Sequence, residues 1–270
     1  LVVLHAANGG ARAFPFYRHL ATHLPARGMA VFIYDRRGSG QSEGDRATTG
    51  FDDLAGDGEA AIDMLSARAD IDPARIGVYG ISQGGWLAPM LAANHPSVAF
   101  LVIVSGCGVA PARQMDYGAS WALRAAGYSG EIVERAIALR HQVNDYYRGD
   151  RSREETRIAV EGARAEPWFE RAYLPGNGVL PESVVDLEWR LEMDFDPLPV
   201  WGRVRRPALF VFAGHDRWVP IEESMANFKA ATAHLEAATF VRIDGTDHLM
   251  SGEDDEPETG VSRRYLRTLL

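Results

Sequence analysis

One cysteine and one lysine are all that the 270 residues contain of either type. The lone thiol, Cys107, excludes an intrachain disulfide, and the compartment stays open because secretion does not require one. No C-x-x-C or H-E-x-x-H pair occurs, so the usual zinc spacings are missing and no metal is expected. No apolar run approaches the ~20 residues of a membrane helix, so no membrane span is expected. Lys229 stands alone among arginines, yet no Arg-rich block forms. With a net charge of −9, nucleic acid is not an expected partner. The arginine bias itself has no functional reading. Repeats and low-complexity tracts are absent, and the acidic stretch 253–258 reads as a solvated loop. The chain opens Leu1-Val2-Val3-Leu4-His5, without methionine and already inside a strand. Residues are expected upstream, so the lack of a visible leader carries no weight.

What the chain does have is apolar sequence, 46% of it, enough for one large core or a core plus an insertion. Six short apolar runs read as buried strands: 1–5, 30–34, 75–79, 98–104, 208–213 and 239–243. Helical patterns separate the early ones, at 17–24 and at 51–65 with Leu54, Gly58, Ala61, Ile62 and Leu65 on one face. Strand alternating with helix predicts an α/β fold, a mostly parallel sheet with helices on both faces. Such sheets bind ligands beyond the carboxyl ends of their strands. The alternation stops near Ala110 and resumes near Pro207. Between them, 131–147, 152–165 and 181–193 look helical, and 167–181 is an aromatic loop with Trp168, Phe169 and Tyr173. The expected organisation is a core at 1–109, a helical insertion at 110–200 lying over the catalytic end of the sheet, and the rest of the core at 201–270. The insertion's aromatics are read first as packing.

Two pentapeptides spell G-x-S-x-G. Gly80-Ile81-Ser82-Gln83-Gly84 follows the apolar run ending Val78-Tyr79 and precedes Gly85-Trp86-Leu87-Ala88, which is strand, tight turn and helix. That context lifts a serine hydroxyl out of a sheet at a helix N-terminus. Gly40-Gln41-Ser42-Glu43-Gly44 sits in turn chemistry on both sides and reads as a surface loop. Ser82 is therefore the candidate nucleophile. Pro89 falls inside the helix that follows and should kink or break it.

Serine needs a base, and the base needs an orienting acid. Past the carboxyl end of run 208–213 comes Gly214-His215-Asp216, and past run 239–243 comes Gly245-Thr246-Asp247-His248. Asp216 and His248 thus join Ser82 on one rim of the sheet. His215 shares its turn with the acid, and His19, His23, His95, His141 and His234 lie in or at the ends of helical patterns. Asp244 and Asp247 could replace Asp216 as orienter, although such local carboxylates usually make turns. The backbone N–H of Gln83 is the first expected oxyanion donor. The second should come from His5-Ala6-Ala7-Asn8-Gly9-Gly10, with Ala7 preferred and Ala6 next.

These motifs, together with Asp35-x-Arg37-Gly38-x-Gly40-x-Ser42, resemble the α/β-hydrolase superfamily along nearly the whole chain. Ile81-Ser82-Gln83-Gly84-Gly85 is similar to bacterial esterases and to serine aminopeptidase and prolyl oligopeptidase-like enzymes. The resemblance implies about eight strands, the six runs being the third to eighth, and a helical cap between strands six and seven. Many relatives carry His-Gly after the third strand where this chain has His5-Ala6, which bears on the second oxyanion donor. The expected activity is cleavage of small carboxylic esters through an acyl-enzyme, with no cofactor and a small ester or peptide-like molecule as substrate. Aminopeptidase-like and thioesterase activity remain the alternatives on the same three residues, and a non-catalytic binding module is the alternative outside enzymes. An aminopeptidase pocket would want a carboxylate, for which Glu166, Glu170 and Asp194 are candidates.

Overall fold

Uninterrupted apolar runs are what strands buried on both faces require. In the computed structural model, which describes residues 1–270, five of the runs form one all-parallel sheet in the order β1-β2-β3-β4-β5. These are β1 (Val2–Leu4), β2 (Ile76–Ile81), β3 (Val98–Val104), β4 (Ala208–Ala213) and β5 (Ala238–Ile243). The helices are α1 (Arg18–His23), α2 (Phe51–Ser66), α3 (Gly84–Asn94), α4 (Pro111–Ala125), α5 (Gly130–Arg148), α6 (Arg153–Ala163), α7 (Glu188–Glu192), α8 (Leu198–Trp201), α9 (Ile221–Ala231) and α10 (Arg263–Leu269). The chain divides into two compact units, 1–109 with 196–270, and 110–195.

The first unit holds the sheet. Alternate residues of a strand face opposite sides, and the two sides take different helices. Val3, Tyr79, Ile81, Val102 and Val211 share a core with Leu20 of α1 and with Tyr265 and Leu266 of α10. On the other side Phe210 packs against Trp201 of α8 and Phe228 of α9. There α2 approaches so closely that a Cβ on Gly58 would lie 2.6 Å from Leu91 and 3.1 Å from Leu4. One polar network runs through the apolar α1–α10 side. His19 Nδ1 lies 2.5 Å from the Phe16 carbonyl oxygen, and its Nε2 lies 3.0 Å from Tyr265 Oη, which is 2.7 Å from Tyr79 Oη. Burial pushes the His19 pKa down to about 4, so this ring is neutral at neutral pH.

The expected sixth strand, 30–34, is not a strand. It makes a single parallel bridge, Val2 to Phe32, closed by Phe32 N–H to Leu1 O at 2.8 Å and Val3 N–H to Phe32 O at 3.0 Å. Apolar sequence reports a capacity for burial, whereas a strand needs a repeated ladder, and here the pairing stops after one bridge. The bridge still matters for topology. The chain passes from β1 to Phe32 on one flank and then to β2 on the other, so the order reverses about β1. Crevices beyond strand ends at such reversals are where α/β sheets bind ligands. Pro89 does not break α3, which continues to Asn94.

The second unit is helical and has its own core of Leu123, Val133, Ala136, Val143, Trp168, Phe169 and Met193. Fully buried Arg140 anchors it, donating to Asp116 at 2.9 Å, to the Ala172 carbonyl at 2.9 Å and to that of Tyr173. Ser152 starts α6 with a capping box to Glu155. The helix expected over 181–193 shrinks to α7: β-branched Val184 and Val185 disfavour helix ahead of it, and Val185 is 69% exposed, while Val184, Leu187, Trp189 and Met193 still pack on the unit's core. The aromatic loop contains two short 3₁₀ turns, Phe169–Ala172 and Pro175–Gly178.

Candidate active site

Ser82 follows the last residue of β2 and precedes α3 by one residue. Its φ is +52°, a left-handed conformation that costs an L-residue about 1–2 kcal/mol. The neighbouring glycines make the turn possible. A Cβ on Gly80 would lie 2.3 Å from the Gly84 carbonyl oxygen, and one on Gly84 would lie 2.3 Å from that of Leu4. The helix then starts at once, with Gly85 N–H to Ser82 O at 2.8 Å and Trp86 N–H to Gln83 O at 3.0 Å. Ser82 is half-buried and Gln83 buried.

The other two candidates sit past β4 and β5. His248 Nδ1 donates to Asp216 Oδ2 at 2.7 Å. Asp216 is 3% exposed, and its Oδ1 accepts from the N–H groups of Trp218 at 2.8 Å and Val219 at 3.1 Å. Both its oxygens are thus engaged, which fixes the carboxylate's orientation. The two loops are joined by Gly214 N–H to Ile243 O at 2.9 Å and His215 N–H to Thr246 O at 2.8 Å. Asp247 accepts from Leu249 and Ser251 N–H groups, and Asp244 pairs with Arg242, so both competing carboxylates serve elsewhere.

The serine turn and the histidine loop meet at the end of β3. Ser82 N–H donates to Val104 O at 3.0 Å. The next residue, Ser105, is fully buried at φ +47°, and its Oγ donates to the His248 carbonyl at 2.8 Å. Sequence reasoning missed Ser105, because a serine ending an apolar run carries no mark of its partner 143 residues away. Ser42, the serine of the other pentapeptide, donates its hydroxyl to the Asp35 carbonyl at 2.6 Å in an exposed loop.

The loop after β1 is held tightly. Ala6 N–H donates to Tyr17 Oη at 3.3 Å, Tyr17 Oη donates to Gly9 O at 3.0 Å, and Gly9 N–H donates to Ala6 O at 3.1 Å. Ala6 is therefore committed to the turn, while the Ala7 N–H takes no part in these bonds. From the other side Arg36, 3% exposed, donates Nη1 to Gln83 Oε1 at 2.5 Å and Nη2 to Ala7 O at 2.9 Å. His5 beside it is driven down to a pKa of about 4, by burial first and by the Arg36 charge second. Chemically, a histidine whose Nδ1–H is fixed by a buried carboxylate presents Nε2 as a base.

No group of three or more His, Cys, Asp or Glu is placed to hold a metal ion, and no helix is long and apolar enough to cross a membrane. Cys107 is buried beside Ser224, its thiol pushed up to about 12 by desolvation. Of the insertion's carboxylates, Glu166 and Glu170 line a cavity of about 780 Å³ within the helical unit, whereas Asp194 is held in a two-bond pair by Arg148.

The chain as a whole has relatives among known proteins. The family model described as Alpha/beta hydrolase family matches residues 1–262. The chain belongs to the alpha/beta hydrolase family. Among curated relatives, the Mycobacterium tuberculosis protein Rv2307c is 37% identical over 95 residues, 35% of this chain and 33% of that one. The Escherichia coli protein YfhR is 35% identical over 83 residues, 31% of this chain and 28% of its own length. The chain thus spans about a third of the length of the curated relatives it matches. Among solved structures, the Pyrococcus furiosus esterase Pf2001 superposes with a TM-score of 0.57 at 18% identity, covering 92% of this chain and 73% of that one. A Bacillus anthracis bromoperoxidase does so with a TM-score of 0.55 at 18% identity, covering 92% and 84%. At such identities the likeness is one of fold, an alpha/beta hydrolase sheet with its helices.

Proposed function

We propose that this hydrolase-family chain cleaves carboxylic esters through Ser82, His248 and Asp216. The observation that carries the reading is the His248 Nδ1–Asp216 Oδ2 bond of 2.7 Å on a loop whose backbone is tied, through Ser105, to the strand end that also receives Ser82 N–H. His248 Nε2 takes the Ser82 proton as Oγ attacks the acyl carbon, and the imidazolium that forms is stabilised by Asp216. The oxyanion is received by the N–H groups of Gln83 and Ala7. Collapse expels the alcohol, which takes the proton from His248, and leaves an acyl-Ser82. Water, deprotonated by the same imidazole, attacks that ester, and the acid leaves as the proton returns to Ser82 Oγ.

A fluorophosphonate probe should label Ser82 stoichiometrically. Ser82→Ala should lose both labelling and p-nitrophenyl acetate hydrolysis, while Ser42→Ala keeps both. Hydrolysis that survives in Ser82→Ala would sink the mechanism. A panel of acyl esters from acetate to palmitate, acyl thioesters and aminoacyl anilides should give its highest kcat/KM on an oxygen ester.

A further inference from the structure

The segment Asp35-Arg36-Arg37-Gly38-x-Gly40 stands out in sequence for the letters it shares with related enzymes. In space those letters are occupied with the segment itself. Asp35 accepts from the N–H groups of Arg12 and Gln41. Arg37 makes a two-bond pair with Asp57 at 2.5 and 2.8 Å. A Cβ on Gly40 would collide with the Asp35 carboxylate at 2.3 Å. The unshared position between them, Arg36, points elsewhere. It is 3% exposed, and its two terminal nitrogens bridge residues 29 and 47 positions away.

We propose that Arg36 is a positioning residue of the oxyanion site, a guanidinium clamp whose Nη1 holds the Gln83 side chain and whose Nη2 holds the Ala7 carbonyl. This rests on the serine-hydrolase reading of Ser82. Gln83 and Ala7 carry the two N–H groups assigned to the oxyanion, and they belong to separate elements, the start of α3 and the turn after β1. An oxyanion site works only if its donors converge before charge develops. The Ala7–Asn8 peptide plane is set by Arg36, and the Ala6–Ala7 plane by Gly9 N–H on the Ala6 carbonyl. The Ala7 N–H lies in the Ala6–Ala7 plane, and Arg36 fixes the plane that follows it across the Ala7 Cα, so the residue is held on both sides. Arg36 is itself anchored, its N–H donating to Gly10 O at 2.7 Å and its carbonyl accepting from Ser39 N–H at 2.8 Å. A planar fork can span two acceptors at once, which a lysine ammonium on the same stem cannot do with the same geometry. The clamp acts on the donors and touches no substrate, so its loss should appear in the transition state and not in ground-state binding.

The test is Arg36→Met and Arg36→Lys, assayed with p-nitrophenyl acetate and with phenylboronic acid, which forms a tetrahedral adduct on an activated serine. Arg36→Met should lower kcat by about 10²-fold, the scale of losing one oxyanion donor, with KM within about twofold of the parent. Boronate affinity should fall by a similar factor. Arg36→Lys should recover only part of the loss. Fluorophosphonate should still label Ser82 to completion in both. If Arg36→Met does not fold, Gln83→Leu removes one jaw of the clamp and should lower kcat about tenfold at unchanged KM. Parental kcat and boronate affinity in Arg36→Met, a loss confined to KM, or full recovery by Arg36→Lys would each overturn the clamp while Ser82 labelling leaves the hydrolase reading intact. A parent enzyme that is not labelled at Ser82 removes both.

Discussion

Mild acid should unfold this protein through its buried histidines. His19 is fully buried and His5 is 2% exposed, and each has its pKa lowered from 6.5 to about 4. The cause is chiefly the low-dielectric interior, which disfavours the imidazolium. His19 is surrounded by the Phe16 carbonyl and the Tyr265 hydroxyl, with His23 and Glu256 acting on it through their charges. His5 lies edge-on to Tyr17 and Tyr34, with Arg36 and Asp35 nearby. The sign is fixed by proton counting. Between pH 6.5 and about 4 the unfolded chain binds a proton at each site and the folded chain does not, so stability rises with pH across this window. It is fully present above pH 6.5 and is lost as pH falls toward 4. Each pH unit that separates the folded from the unfolded pKa is worth about 1.4 kcal/mol, so each ring removes about 3 kcal/mol over the window. Two rings together approach the whole stability of an ordinary domain, about 5–15 kcal/mol.

The depressed carboxylates do not blur this. Asp35, Asp254 and Glu256 lose their stabilising ionisation only as pH falls through and below their ordinary values of 3.8 to 4.5. Above about pH 5.5 these carboxylates are ionised in the unfolded chain too, so the interval from pH 6.5 to about 5.5 isolates the histidines. Urea unfolding followed by tryptophan fluorescence at half-unit steps should show free energy falling on the acid side, with a slope nearing about 1.4 kcal/mol per pH unit per ring. His19→Gln can still donate to Phe16 O and accept from Tyr265 Oη, yet it does not titrate. Whatever it does to stability at pH 8, it should roughly halve the slope. A flat profile from pH 6.5 to about 5.5 in the parent, or an unchanged slope over that interval in His19→Gln, would refute the argument.

Two further outcomes follow from the same geometry. Asp216→Asn should lower kcat by about 10³–10⁴-fold with little change in KM, because an amide cannot accept from both the Trp218 and Val219 N–H groups and the His248 Nδ1–H while keeping the imidazole tautomer; steady-state kinetics on p-nitrophenyl acetate measure it. Cys107, buried and with its thiol pushed up to about 12, should resist 5,5′-dithiobis(2-nitrobenzoate) in the native protein and react with one equivalent once guanidinium unfolds the chain.

Which parts of the molecule could be read from sequence follows from how far each interaction reaches along the chain. The turn at Ser82 was legible because its determinants are local: an apolar run, glycines whose Cβ atoms would strike backbone, and a helix beginning two residues later. Asp216 and His248 were legible by register, since parallel strands put all their carboxyl ends on one edge. The 30–34 run misled because hydrophobicity is a one-residue property and a ladder is a property of two segments in register. The helix expected over 181–193 misled for a related reason, since composition does not say which face will find a partner. Arg36 shows the limit most sharply. In sequence it is one of two adjacent arginines in a polar turn, and nothing local separates it from Arg37. Arg37 reaches Asp57 and stays 37% exposed at its side chain, whereas Arg36 turns inward to acceptors on two other elements. The path of the chain, from the Phe32 bridge on one flank of β1 to β2 on the other, creates that difference. It brings the turn after Phe32 beside both the turn after β1 and the start of α3, so one buried guanidinium can reach both. A residue that owes its role to topology has no signature until the topology is known.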